Sequence, residues 1–116
     1  MRILVIEDCR EEQSLVAVAL DGFELRFVES YAEGIRELER QIIDVILADL
    51  NTREDWRTEG LKKLLKVTNI PIVVWSGVHE HQLAKECIKL GAKDFLVKQY
   101  TDKDLIIKTL RKACER

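Results

Sequence analysis

Residues 44–50 read Asp-Val-Ile-Leu-Ala-Asp-Leu, a run of four apolar residues enclosed by two aspartates. A short and continuously apolar run is typical of a strand buried on both faces, as in a parallel sheet that helices cover on both sides. Similar runs occur at residues 3–6, 72–75 and 95–97. The segment therefore predicts a central strand of an α/β sheet, with Asp49 at its carboxyl end.

Segments of helical period separate these runs. Apolar residues recur in them at steps of three and four, and the clearest stripe comprises Leu105, Ile106, Thr109, Leu110 and Ala113. Ser30 and Glu33 have the spacing of a capping box, Gly91 is placed to end the fourth helix, and Thr101 is predicted to cap the fifth. The alternation predicts five strands and five helices.

Residues 24–29 read Glu-Leu-Arg-Phe-Val-Glu, which alternates polar and apolar side chains and so favours a sheet edge. Right-handed crossovers between parallel strands leave few topologies, and the order 2-1-3-4-5 places the second strand at an edge. We predict a flavodoxin-like (βα)5 three-layer sandwich with a parallel five-stranded sheet. Its 116 residues, 47% of them apolar, suit one domain over 1–116.

Charge and composition exclude several classes of function. The 19 basic and 21 acidic residues nearly balance, so a net charge of −2 provides no field that would hold nucleic acid or a membrane surface directly. No apolar run approaches the roughly 20 residues that span a bilayer, and no signal-peptide pattern begins the sequence. Three widely spaced cysteines predict reduced thiols. We expect a cytoplasmic protein.

Chemically useful side chains follow four of the predicted strands. In open α/β sheets ligands bind beyond the carboxyl ends of the strands, where the strand order reverses. Two ionised carboxylates about 4 Å apart repel by roughly 4 kcal/mol at an effective dielectric of about 20, so clustered acids favour a bound cation. Carboxylate oxygens suit Mg²⁺, and no cluster of histidine and cysteine offers a zinc site. The residues at these strand ends are Glu7, Asp8, Asp49, Ser76 and Lys98.

These residue types together suit phosphoryl transfer. A metal held by Glu7, Asp8 and one oxygen of Asp49 leaves the other Asp49 oxygen as a nucleophile. Lys98 offers a positive charge and Ser76 a hydroxyl to the phosphoryl oxygens. Each residue alone has a structural explanation as a helix cap, turn, loop or surface residue. Their arrival at one edge of the sheet from four strands favours the functional interpretation.

In these residues the chain resembles the receiver domain of two-component response regulators, over essentially its whole length. The pair Glu7-Asp8 resembles the family's acidic metal-binding pair, and Asp49 its phosphoacceptor. The other matches are the switch hydroxyl, the site lysine, the aromatic switch position and a backbone carbonyl that binds the metal, at Ser76, Lys98, Phe95 and Asn51.

The resemblance implies a Mg²⁺-dependent switch. Asp49 would take a phosphoryl group from the phosphohistidine of a sensor histidine kinase or a phosphotransfer protein. Both this transfer and the later dephosphorylation would be self-catalysed at Asp49, without turnover of a separate substrate. Inward motion of Ser76 and Phe95 would then remodel the face formed by the fourth helix, fifth strand and fifth helix, to which an output protein or effector domain would bind.

Two segments depart from the family pattern. Gln99 follows Lys98 where the family usually has proline, and a cis bond before a non-proline residue costs about 2.5 to 4 kcal/mol. We predict a trans Lys98–Gln99 bond with the lysine ammonium still near Asp49. The loop after Asp49 lacks the usual Met-Pro element and contains Trp56 instead, which we interpret as an anchor of the loop in preference to a partner contact.

Other functions remain to be weighed against phosphoryl transfer. A receiver-fold interaction module that works without phosphorylation would keep the same helical face, because a fold does not confer an activity. A flavin-binding protein is disfavoured, since acidic side chains follow the first strand and no glycine-rich phosphate motif occurs. His79 and His81 are interpreted as the solvated start of a helix and not as metal ligands.

Overall fold

The computed structural model describes residues 1–77 and 80–115. A five-stranded parallel sheet has the strand order 2-1-3-4-5, numbered along the chain, which confirms the predicted fold class. His81 begins a helix as predicted, and His79 lies outside the described residues. The strands are β1 (Arg2–Ile6), β2 (Glu24–Val28), β3 (Val45–Ala48), β4 (Ile72–Ser76) and β5 (Asp94–Val97), and the helices are α1 (Arg10–Ala19), α2 (Tyr31–Arg40), α3 (Glu59–Leu65), α4 (His81–Leu90) and α5 (Lys103–Ala113).

Two apolar layers enclose the sheet, because successive side chains of a strand point to opposite faces. Ile6, Ile46 and Val74 pack on one face with residues of α2, α3 and α4, while Val5 and Leu47 pack on the other with residues of α1 and α5. β3 is buried along its whole length, and β2 alternates at the edge, as their sequence patterns predict. In the part of the chain that the structure describes, no helix is both long and apolar enough to cross a membrane.

The second helix begins, and the fourth helix ends, where the sequence signals place them. The Ser30 hydroxyl accepts a hydrogen bond from the backbone N–H of Glu33 at 3.1 Å. The Glu33 carboxylate accepts one from the N–H of Glu29 at 3.3 Å, one residue before the usual partner in a capping box. Gly91 ends α4 with φ +130°, a conformation that residues with a side chain rarely adopt.

The predicted cap of the fifth helix is wrong by one residue. Asp102 caps α5 by accepting a hydrogen bond from the N–H of Leu105 at 2.8 Å. The Thr101 hydroxyl instead donates to the carbonyl of Val97 at 2.6 Å, so it is not available to the helix. Asp and Thr are both good caps, and the competing acceptor on β5 decides between them.

The turn after β5 confirms the prediction for Lys98. The described residues contain no cis peptide bond, so Lys98–Gln99 is trans. Lys98–Tyr100 forms a single turn of 3-10 helix in this position. The turn begins at Lys98 itself, directly after β5, and thereby holds the lysine at the edge of the sheet that carries the acids.

Candidate functional site

Three acids meet at the carboxyl end of the sheet. Glu7 and Asp8 follow β1 and Asp49 follows the neighbouring β3, and one carboxylate oxygen from each lies within 4.8 Å of the others. Backbone hydrogen bonds of 2.9 Å continue the strand pairing at this level, from Asp49 to Ile6 and from Glu7 to Val28. Glu7 is fully buried and Asp49 is 5% exposed. Strand pairing therefore places the three acids together.

Lys98 lies among these acids. Its Nζ is 2.7 Å from Glu7 Oε1, 3.2 Å from Asp49 Oδ2 and 3.8 Å from Glu12 Oε2. Burial lowers the pKa of Lys98, but the hydrogen bond with Glu7 and the charge of Asp49 outweigh that effect and raise it above its usual value. Lys98 is thus a permanent cation between two buried carboxyl groups.

The ionised form of Glu7 is disfavoured at this position. Burial raises the pKa of Glu7 to about 7, and the hydrogen bond with Asp49 acts in the same direction, while Lys98 lowers it. The contacts with Lys98 therefore offset only part of these two effects. The donors available from Glu7, Asp8 and Asp49 are all carboxylate oxygens, which suit a hard divalent cation. This donor set fits a divalent metal ion.

Asp49 is held from both its side chain and its backbone. Its Oδ1 accepts a hydrogen bond from the N–H of Asn51 at 3.0 Å, and its carbonyl accepts one from the Tyr31 hydroxyl at 2.8 Å. Burial raises the pKa of Tyr31 far above its usual value, so the hydroxyl stays protonated and donates. An added Cβ at Gly60 would lie 2.5 Å from Tyr31 Cε2, so the absence of a side chain there makes room for the ring.

The two switch candidates lie on β4 and β5. Ser76 is fully buried at the end of β4. It pairs with Val97 of β5, the residue that directly precedes Lys98. Phe95 pairs with Val74 and is half-buried against the apolar layer that contains α4. The structure therefore brings Ser76 to the same end of the sheet as the acids, and places Phe95 between the sheet and α4.

The loop from Asn51 to Thr58 differs from its prediction. Trp56 is 71% exposed, so its interpretation as an anchor is wrong. Polar residues occupy the buried positions of the loop instead, because hydrogen bonds satisfy them there. The Asp55 carboxylate is 2.6 Å from Lys63 Nζ, and the Asp55 N–H donates to the Thr52 hydroxyl at 3.3 Å. The Trp56 indole is therefore not buried in the core.

Sequence reasoning missed several residues that support the site. Besides Tyr31, Gln13 donates from Nε2 to the carbonyl of Glu7 at 2.6 Å, and the N–H of Arg53 donates to Asp8 Oδ2 at 2.8 Å. Tyr31 resembles any apolar residue in a helix stripe, and a backbone donor such as Arg53 has no signature in a single sequence. No local signal could have found them.

Comparisons with known proteins agree with this geometry. Residues 3–110 match the family model of the response regulator receiver domain. The two-component response regulator ORR1 of Oryza sativa subsp. indica is 29% identical over 97% of this chain and 54% of that protein. The transcriptional regulatory protein CpxR homolog of Haemophilus influenzae is 27% identical over 90% of this chain and 47% of that protein. The chain thus spans about half the length of these curated relatives.

Solved structures share the fold. A two-component response regulator from Clostridium difficile has a TM-score of 0.89 and 19% identity, with 100% of this chain and 97% of that chain covered. A response regulator from Burkholderia pseudomallei, solved with a phosphorylated aspartic acid, a calcium ion and citrate, has a TM-score of 0.81 and 22% identity over 94% and 65% of the chains. The Mn(2+)-bound form of response regulator Rcp1 has a TM-score of 0.76 and 23% identity over 95% and 89%.

Proposed function

Because this chain belongs to the response regulator receiver domain family, we propose that residues 1–116 form one receiver domain, in which Asp49 accepts a phosphoryl group. The donor is the phosphohistidine of a sensor histidine kinase or a phosphotransfer protein. The observation that carries the proposal is the placement of Asp49, a buried carboxylate that lies 3.2 Å from Lys98 Nζ and forms a cluster with the carboxylates of Glu7 and Asp8.

The metal in this proposal is Mg²⁺, held by Glu7, Asp8, Asp49 and the backbone carbonyl of Asn51. The oxygen-only donor set of the three acids supports a hard cation. Structures of related fold hold calcium in one case and Mn(2+) in another. When bound, the ion neutralises negative charge on the carboxylates and on the phosphoryl oxygens.

The residues of the chain perform the transfer as follows. One oxygen of Asp49 attacks the phosphorus, the bond from phosphorus to the donor imidazole nitrogen breaks, and that nitrogen keeps the electron pair. Lys98, already 3.2 Å from Asp49, binds a phosphoryl oxygen as charge is transferred. The hydrogen bonds from Tyr31 and Asn51 keep Asp49 in its orientation. Water then hydrolyses the phosphoryl group from Asp49, which ends the signal. The domain turns over no separate substrate.

In this proposal, phosphorylation moves the side chains of Ser76 and Phe95, and their movement changes the face formed by α4, β5 and α5. The Ser76 hydroxyl moves to donate to a phosphoryl oxygen, and Phe95 follows inward. Phe95 is only half-buried and packs beside α4, which supports its motion. An output protein or effector domain binds this face. We assign the chain to the cytoplasm, because the free thiols of Cys9, Cys87 and Cys114 suit a reducing compartment.

A module of receiver fold that binds its partners without phosphorylation is the weaker alternative. Such a module does not require two buried carboxyl groups that share one lysine. Breaking a buried ion pair is costly, and keeping one gives little stability compared with apolar residues of the same size. The arrangement of Glu7, Asp49 and Lys98 is therefore better explained by chemistry than by folding.

Intact-mass measurement tests the proposal. The protein is incubated with Mg²⁺ and acetyl phosphate, and we expect its mass to increase by one phosphoryl group, with no increase when a chelator replaces Mg²⁺. Asp49→Asn should abolish the increase. Asp55→Asn is the matched control, because Asp55 is also a buried aspartate paired with a lysine, but outside the acid cluster. Equal modification of Asp49→Asn and the parent protein would show that Asp49 is not the acceptor.

A further inference from the structure

The loop between β3 and α3 is bonded at its two ends to different sides of the molecule. At one end, the backbone N–H of Arg53 donates to Asp8 Oδ2 at 2.8 Å. At the other, Arg57 donates from both terminal nitrogens to the two oxygens of Glu80, at 3.1 and 3.2 Å. Asp8 belongs to the acid cluster, and Glu80 is the N-cap residue of α4. The loop therefore connects the acids to the start of that helix.

A second contact strengthens the link between the loop and α4. The Thr58 hydroxyl, on a 4% exposed residue, donates to Glu86 Oε1 at 3.4 Å. Glu80 and Glu86 are six residues apart, about 1.7 helical turns, so the loop contacts α4 at two positions along its length. The hydrogen bond from Arg57 also lowers the pKa of Glu80, which keeps this carboxylate charged.

Arg57, the residue that forms the ion pair, also has an unusual backbone conformation. Its φ is +52°, and no other non-glycine residue among those described has a positive φ. Such a conformation is strained for a residue with a side chain, and it persists only where the surroundings hold it. The two parallel hydrogen bonds to Glu80 fix the guanidinium of this residue, because a guanidinium and a carboxylate bind best in this planar arrangement.

We propose that the Arg57–Glu80 ion pair couples the acid site to the first turn of α4 through the loop of residues 51–58. A change at Asp8 alters the Arg53 hydrogen bond, the loop shifts, and Arg57 transmits the shift to Glu80. The coupling must act equally in both directions, because it is a difference in free energy between two linked sites. Its use in signalling rests on the proposed function, in which metal and phosphoryl groups bind beside Asp8.

Two backbone amides report on the two ends of this connection. The Arg53 N–H is bonded to Asp8, and the Ala84 N–H is bonded to the carbonyl of Glu80 at 3.1 Å. Their hydrogen-exchange rates are measured by NMR in the metal-free, unmodified protein. We expect Arg57→Ala to raise both rates roughly two- to fivefold, the effect of a modest ion pair on local opening.

A double-mutant cycle separates coupling from independent loosening. Asp8→Ala should raise the exchange rate of Ala84 by a larger factor in the parent background than in the Arg57→Ala background, where only the Thr58–Glu86 contact still links the loop to α4. The exchanged pair Arg57→Glu with Glu80→Arg should restore the parent rates. Arg2→Ala is the matched control, because it removes an exposed ion pair with Glu24 and should leave both rates unchanged.

The proposal is overturned if Asp8→Ala changes the Ala84 exchange rate equally in both backgrounds, or in neither. These measurements involve no metal and no phosphoryl group, so they decide the coupling even if Asp49 is not a phosphoacceptor. Conversely, the mass measurement on Asp49→Asn decides the proposed function whatever the exchange rates show.

Discussion

Gly60→Ala tests how closely the packing of α3 is tied to Asp49. The new Cβ would lie 2.5 Å from Cε2 and 2.7 Å from Cγ of Tyr31, distances that real Cβ contacts essentially never show. Tyr31 is fully buried, so its ring has no free space into which it could move. If it moves, its hydroxyl leaves the carbonyl of Asp49, to which it now donates at 2.8 Å. One methyl group thus disturbs both the core and the backbone of the acceptor residue.

The size of the effect follows from three contributions. Overpacking a core costs about 1–3 kcal/mol. Loss of a buried hydrogen bond that leaves its partner unsatisfied costs about 1–3 kcal/mol more. The better helix propensity of Ala offsets at most about 1 kcal/mol of this destabilisation, and less in the first turn of α3, where Gly60 lies. We expect a net loss of about 1–6 kcal/mol in the free energy of unfolding, with each kcal/mol lowering Tm by about 4 °C.

Thermal and urea unfolding of matched variants measure this loss. Gly34→Ala is the control, since its Cβ would lie 3.1 Å from Ile6 Cδ1, 3.4 Å from Ile6 Cγ1 and 3.6 Å from Val28 Cγ2, all of them side-chain atoms, and we expect a change within about 1 kcal/mol. In a Tyr31→Leu background the cost of Gly60→Ala should fall below about 1 kcal/mol, because the ring is gone. A Gly60→Ala protein as stable as the parent would refute the argument.

Three further predictions concern the metal site, a helix cap and a buried thiol. Asp8→Ala should weaken Mg²⁺ binding in titration calorimetry, whereas Ala at the distant and exposed Glu39 should not, and equal affinities would remove Asp8 from the site. Asp102→Ala should lower the free energy of unfolding in urea by about 1 kcal/mol, and no loss would mean that α5 does not depend on its cap. Burial raises the pKa of Cys87 to about 11, so little thiolate forms at pH 8 and a thiol reagent should label Cys87 only after denaturation; rapid labelling of the native protein would contradict its burial.

Patterns along the chain predict the architecture and the residue types at the candidate site. Continuous and alternating apolar patterns indicate how many faces of a strand are buried, and they therefore predict that β3 is central and that β2 lies at the edge. The carboxyl ends of parallel strands share one edge of the sheet, so the sequence predicts that Asp8, Asp49 and Lys98 meet there. The sequence does not distinguish between two neighbouring residues that both have a high propensity to cap a helix. The predicted cap of α5 is therefore wrong by one residue, Thr101 instead of Asp102.

The side chains that support and surround those residues are defined by tertiary packing. The Tyr31 hydroxyl reaches Asp49 across 18 positions, and the Arg53 N–H reaches Asp8 across 45. The exposure of Trp56 likewise depends on polar residues taking the buried positions of its loop. Local sequence patterns indicate the spacing of buried residues and the positions where helices begin and end, because these features depend on residues that are close along the chain. Contacts between distant loops depend on backbone conformations and packing that become defined only when the whole domain has folded.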